Sequence, residues 1–417
     1  MRIKNIALDN FKCFEHLEMD FHPSMNLIVG INGTGKSSVL EALRILLGSL
    51  FLSVDKYKDK ILCPGIGNDD VRLSQLEQQY PVKVSAVAEM NMFDVEHTQH
   101  EVSWERSLET RGGSTRHANA KEMKEVSADM QRAIRDNQNI TIPLVAYYST
   151  DRFKKEKKDI GVEPEGSRLR GYYNALDPLT NIKFFLDLYY TETLASLQEG
   201  KPSELLECVN QAVMVCLDCE SLVFDIKKQE LVYTDNASHE RVPFHLLSDG
   251  VRCTLSMVME IAFRCYILNS HLGSRAAMMT DGVVLIDEVD LHLHPSWQMH
   301  VVNDLRKAFP QIQFVLTTHA PLIISSLKEG NIFSIVDKQT FDFGLQSGRD
   351  ANYILNEMGV SEMGEDEKKL LQNYLLMIEN GQGLSESALV QRERLEKLLG
   401  KDNAELKKAD VMLSFFS

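Results

Sequence analysis

The chain has 417 residues, 44% of them hydrophobic, and a formal net charge of −15. That length buries one large core plus a satellite region, and that charge disfavours a general affinity for nucleic acid, since neutralising phosphates takes clustered Lys and Arg. The longest apolar stretches, residues 43–51 and 282–286, fall short of the roughly 18 residues that cross a bilayer, and residues 1–21 alternate apolar and charged positions instead of forming a secretory leader. Seven irregularly spaced cysteines argue against a disulfide framework, and the lone pair Cys216 and Cys219 lacks the second pair that would complete a zinc site. A cytosolic globular protein is the expectation.

In chain order, strands are predicted at residues 2–8 and 17–21, with a turn over residues 10–14 between them. A short apolar strand over 25–29 enters a glycine-rich loop, and residues 37–50 have the Ala, Leu and Glu content of a helix. A polar connection at 64–79 precedes strands at 82–92 and 102–108, a helix-prone stretch at 111–138 and a buried strand at 142–148. The charged segment 151–171, with Lys154, Lys155, Lys157, Lys158, Arg168 and Arg170, opens an inserted lobe. Helices are expected there at 182–197 and 202–214, and strand-like alternation at 220–235. From residue 246 the pattern becomes helix 251–268, buried strand 283–287, helix 297–309 and buried strand 314–318, an alternation that implies a parallel sheet. Beyond a strand at 332–336 the chain is helical, and about 60 such residues exceed a single helix, so two or three are expected.

Gly30, Ile31, Asn32, Gly33, Thr34, Gly35, Lys36 and Ser37 fit G-x-x-x-x-G-K-[ST] between an apolar strand and a helix. In such a Walker A loop the backbone N–H groups of Gly30, Asn32, Gly33 and Gly35 converge on phosphates, helped by the helix start at Ser37 and Ser38. Lys36 neutralises β and γ oxygens and the Ser37 hydroxyl ligates magnesium. Residues 283–288 form an apolar strand ending in two carboxylates, as a Walker B segment does. Asp287 is then a magnesium holder and Glu288 the group that orients or deprotonates water. Between the two lies Leu247, Ser248, Asp249, Gly250 at the start of a helix. Alone it is an N-cap; here it stands some 40 residues ahead of the acidic pair.

The ordered set of Walker A, LSDGVR, LIDEVDLHLHP and a strand ending Thr317, Thr318, His319 resembles the RecF, SMC and OLD branch of ABC-type ATPases, as does the opening Phe11, Lys12 and Phe14. The resemblance implies an α/β fold: a P-loop ATPase head with an inserted helical lobe and a helical C-terminal tail, divided at 1–150, 151–240, 241–345 and 346–417. It further implies ATP and magnesium as ligands, a homodimer or higher homo-oligomer in which Ser248 and Gly250 of one copy close on the γ-phosphate held by the other, His319 contacting that phosphate in cis, and Lys12 touching the nucleotide. Asp249 replaces a glycine found in transporters, and no clear Q-loop glutamine is present; the YYSTDR stretch ending at Arg152 occupies that region. With RGYYNAL at 170–176 and HLHPSWQ, this stretch resembles the PtuA ATPases of Septu anti-phage systems, which implies a separate HNH nuclease, PtuB-like, as partner and nucleic acid reached through the complex. The competing expectation is a RecF-like clamp that grips DNA by ATP-dependent dimerisation. OLD-type nucleases carry a Toprim domain after the ATPase; the roughly 80 residues beyond 336 are short for one and lack spaced carboxylates at strand ends.

Overall fold

The computed structural model describes residues 1–54, 61–91, 99–153, 167–178, 182–358, 365–400 and 403–416. Lys154, Lys155, Lys157 and Lys158 of the charged segment lie outside the described residues. The chain divides into two compact units, Met1–Ile354 and Leu355–Ser417.

The first unit opens with β1 (Arg2–Phe11), β2 (Phe14–Asp20) and β3 (Met25–Val29), followed by α1 (Lys36–Leu47). A two-residue ladder, β4 (Leu73–Ser74) with β5 (Glu77–Gln78), precedes β6 (Val82–Asn91) and β7 (Gln99–Leu108). These form an antiparallel sheet in the order β2-β1-β6-β7. On β6 burial alternates residue by residue, as a sheet with one covered face demands.

Helix α2 (Lys121–Arg135) and β8 (Leu144–Tyr148) follow, then α3 (Ile182–Glu199) and α4 (Glu204–Leu217). Between α4 and the next long helix the chain forms a second sheet from β9 (Cys219–Asp225), β10 (Glu230–Asp235) and β11 (Arg241–Pro243). The inserted segment is therefore part sheet, and the alternation at 220–235 is its central hairpin. The remaining elements are α5 (Asp249–Leu268), α6 (Ala276–Met279), β12 (Gly282–Ile286), α7 (Pro295–Gln298), α8 (Val301–Ala308), β13 (Ile312–Thr318), α9 (Pro321–Ser326), β14 (Asn331–Val336), β15 (Gln339–Asp342) and α10 (Ala351–Glu357). The single helix expected at 297–309 is two, because His294 and then His300 stand at separate N-caps. The expected helix at 111–138 is confined to α2.

The six-stranded sheet runs β15-β14-β3-β13-β12-β8, with β8, β12, β13, β3 and β14 parallel. Every residue of β3, β8, β12 and β13 is buried, so these strands read as apolar runs and not as alternations. α1 packs against strands of both sheets and is buried over most of its surface, leaving Ser37, Glu41 and Arg44 as a narrow polar stripe. Its last turn receives the Trp104 indole N–H at the Leu46 carbonyl, 3.1 Å, and the Arg106 guanidinium at the Ile45 carbonyl, 3.4 Å.

The second unit contains α11 (Glu365–Glu379), α12 (Glu386–Leu399) and α13 (Ala404–Phe416), closed on a core that includes Leu371, Tyr374, Ile378, Leu395 and Leu406. All seven cysteines are free and five are buried; burial pushes the Cys219 thiol up to about 11. Among the described residues no helix is long and apolar enough to cross a membrane.

A buried side chain ties the two sheets together. The fully buried Gln313 amide on β13 accepts from the Ile3 N–H (2.7 Å) and donates to the Ile3 carbonyl (2.8 Å) on β1. Gln313→Leu strands both backbone groups in an apolar interior, and urea denaturation should show a loss of about 2–4 kcal/mol. A loss below about 0.5 kcal/mol would contradict the joint, because surface-like substitutions fall in that range.

Candidate nucleotide site

Walker A and the acidic strand are not adjacent: β13 lies between β3 and β12. The parallel register sets Thr318 opposite Val29 and Leu316 opposite Ile286, so the carboxyl ends of the three strands meet at one edge. In open α/β sheets that edge is where ligands bind.

The glycine loop leaves β3 at Gly30 and enters α1 with Gly35 at the N-cap, φ 111°. Only glycine suits that position: a Cβ there would stand 2.5 Å from the Phe14 ring and 2.7 Å from the Cys13 sulfur. The opening β1–β2 turn is thus a support for the loop. Asn32, Gly33 and Ser37 are exposed and Ser38 is half-buried. Lys36 is buried and donates to the Gly30 and Ile31 carbonyls at 2.8 and 3.0 Å. Burial lowers its pKa, opposed by the charges of Asp287, Glu288 and Asp290, which places all three carboxylates in range of the ammonium. α1 has no side-chain cap, whereas α4, α5 and α12 are each capped by a serine. Its first N–H groups therefore face the loop without a side-chain acceptor, a setting that attracts anions.

The Ser37 hydroxyl donates to Asp287 Oδ1 at 3.2 Å across 250 residues of sequence. The same Oδ1 accepts from the Thr317 hydroxyl at 2.5 Å, and Thr317 Oγ1 accepts the Glu288 N–H at 2.8 Å. Glu288 has φ 47°, left-handed for a residue with a side chain, and the Thr317 bond helps hold that turn. Two residues on, the buried Asp290 accepts the Thr318 hydroxyl at 2.6 Å and pairs with His319 Nε2 at 3.5 Å. His319 is about half exposed at the same edge. Ser37 and Asp287 supply hard oxygen donors, which suits magnesium.

Sequence reasoning passed over two contributors here. Thr317 orients both acidic residues, and Asp290 fixes His319. The third carboxylate of LIDEVD, three positions past Asp287, was the available signal for Asp290. Lys12 lies beside this loop with φ 51°, and its ammonium is paired with Asp70 at 2.8 Å. The YYSTDR stretch ends β8, next to β12, and the Asp287 N–H donates to the Tyr148 carbonyl at 2.8 Å. Ser149 to Asp151 thus follow directly at the same strand-end edge as Asp287.

Ser248 caps α5 through the Val251 N–H at 3.5 Å and is exposed, as is Asp249, which pairs with Arg252. Gly250 is buried against the 288–293 turn; a Cβ would lie 2.3 Å from the His292 carbonyl oxygen. The signature turn therefore rests on the segment that follows Glu288, while its hydroxyl faces outward.

A phosphate-binding loop, two strand-end carboxylates and a third strand carrying Thr317 between them define a P-loop ATPase. The chain belongs to the AAA-domain ATPases: a family model described as an AAA domain matches residues 5–214, and a second, described as an AAA domain, putative AbiEii toxin of a type IV toxin–antitoxin system, matches 111–325. Among curated relatives, the Retron Vc95 probable ATPase of Vibrio cholerae is 26% identical over 92% of this chain and 84% of its own length. The Septu protein PtuA of Bacillus mycoides is 24% identical over 91% of this chain and 48% of its own length. The SMC head domain from Thermotoga maritima covers 82% of this chain and 98% of that structure at 14% identity, with a TM-score of 0.46.

Thr317→Val keeps shape and removes the hydroxyl, taking from the Glu288 N–H the acceptor that holds its turn and from the buried Asp287 one of its hydroxyl donors. Unfolding free energy should fall by about 1–3 kcal/mol. Unaltered stability would show that the threonine does not hold the acidic turn.

Proposed function

We propose that this chain is the ATP-binding and hydrolysing subunit of an anti-phage defence complex, acting as a homodimer that regulates a separate HNH nuclease. The observation that carries the ATPase reading is the meeting of Ser37, Asp287 and Thr317 within 3.2 Å, beside a buried Lys36 and an uncapped helix N-terminus. The defence reading is supported by similarity to PtuA and to a retron ATPase over most of the chain.

In this reading the N–H groups of Gly30, Asn32, Gly33 and Gly35 cradle the phosphates, with Ser38 in the first turn of α1. A phosphate gives the Lys36 ammonium, desolvated by burial, an anionic partner where Coulombic attraction is strong. Magnesium, held by Ser37 and Asp287, supplies positive charge that neutralises phosphoryl oxygens. Glu288, set on its turn by Thr317, takes the proton of the attacking water. His319, positioned by Asp290, donates to the γ-phosphate. Lys12, turned toward Asp70, contributes to the rim of the nucleotide site. Ser248 and Gly250 face outward in each copy and close the site of the other. ATP binding then sets the arrangement of the surfaces that carry the nuclease, and hydrolysis resets it, an energetic coupling of the two proteins. Nucleic acid is reached through that complex.

Lys36→Ala should abolish ATP binding measured by calorimetry. Glu288→Gln should retain binding and cut turnover by about 10²–10⁴, the range for loss of a general base. Full turnover in the second variant removes Glu288 from the chemistry. The purified chain should leave plasmid DNA intact. Magnesium-dependent cleavage by the chain alone overturns the two-protein arrangement, and ATP-dependent duplex binding that weakens steeply with salt favours a DNA clamp in its place.

A further inference from the structure

Residues 167–178, which contain the whole of RGYYNAL, form no long helix or strand beyond the short turn Arg168–Tyr172, yet Leu169, Gly171, Tyr172, Ala175 and Leu176 are buried. Their backbone carbonyls are taken by donors from three different parts of the ATPase. From the P-loop helix α1, Arg44 Nη1 donates to the Leu176 carbonyl at 2.9 Å. From α5, the helix that begins at Ser248, Arg264 Nη1 donates to the Gly171 and Tyr173 carbonyls at 2.7 and 3.0 Å. From β8, beside the acidic strand, the Tyr147 N–H reaches the Ala175 carbonyl at 2.7 Å, and just past its end the Ser149 hydroxyl reaches the Pro178 carbonyl at 2.7 Å.

Each arginine is first fixed on its own helix. Arg44 is bound to Glu41, and Arg264 to Glu260, a pair whose side chains are 4% and 7% exposed. A buried ion pair is weak evidence for stability, since desolvation offsets most of its attraction. What it supplies is orientation: the guanidinium is planar and rigid, so one edge held by a carboxylate aims the remaining N–H groups. Here both aim at the same stretch of backbone. Arg44 lies eight residues after Lys36 and Arg264 sixteen after Ser248, about 12 and 24 Å along rigid helices. The segment thus joins the far part of the phosphate-binding helix to the far part of the signature helix, with the strand beside Asp287 as a third attachment.

We propose that residues 167–178 are a strap that couples nucleotide binding at the P-loop to the position of the signature helix, with Arg44 and Arg264 as positioning residues. The proposal rests on the ATPase reading above. A strap held by directional hydrogen bonds to three elements transmits a shift of one to the others, whereas contact by apolar packing alone lets helices slide.

Hydrogen exchange of the full-length chain, with and without ATP and magnesium, tests it beside steady-state turnover. In the wild type, ATP should slow exchange both in 168–178 and in the first turns of α5. Arg44→Met removes the α1 attachment; it should bind ATP within about threefold of wild type, lose the response in α5 and show kcat lowered about tenfold, the scale of an ordinary coupling energy. Ser149→Ala deletes one attachment and no charge, so it should shift both readouts in the same direction by less. Either variant retaining the full α5 response overturns the strap, as does a fall in kcat matched by an equal fall in ATP affinity. A wild type that fails to bind ATP sinks the ATPase reading itself; one that binds ATP without any response in α5 sinks the strap alone.

Discussion

The carboxylate of Asp287 stands where three parallel strands end, and the site depends on its being shared. One oxygen accepts hydroxyls from Ser37, at the start of the phosphate-binding helix, and from Thr317, at the end of the intervening strand. A carboxylate buried to 5% exposure is costly unless its charge is answered by donors and a cation. Lys36 lies within its electrostatic reach, and the two hydroxyls supply hydrogen bonds. The order β3-β13-β12 makes this possible, because a single intervening strand leaves room for Thr317 between loop and acid.

The same edge explains why so many backbone positions are irregular there. Gly35 is left-handed against the Phe14 ring and Glu288 is left-handed under Thr317. Such conformations persist only where the surroundings over-determine them, and they collect at functional sites. The antiparallel sheet contributes the Cys13–Phe14 wall behind the loop, and Gln313 fixes that sheet to the parallel one.

The P-loop and the acidic strand were legible because their chemistry is local: an eight-residue loop and a five-residue apolar strand each declare themselves within one window. Buried parallel strands were legible for the same reason, as apolar runs between helices. What sequence did not show are pairings whose partners lie far apart, such as Gln313 with Ile3, Arg264 with Gly171, and Thr317 with Asp287. A polar side chain in an apolar strand looks alike whether it is a solvated defect or a joint, and only the partner decides. The insert was expected to be chiefly helical because α3 and α4 dominate its composition; the alternation at 220–235 marked β9 and β10, while the three-residue β11 is too short to stand out. Lys12 illustrates the limit of residue type alone: its ammonium is engaged by Asp70, a partner that no local pattern announces.

The central claim is that one copy of this chain carries only part of each catalytic site, its outward Ser248 completing the loop of another. Mixing Ser248→Arg with Lys36→Ala tests it most directly. In a mixed dimer one composite site would carry both defects and the other neither, so ATP hydrolysis, absent from each variant alone, should return on mixing. Two inactive variants that form mixed dimers, shown by differently tagged copies purifying together, yet recover no hydrolysis would contradict a site shared between copies.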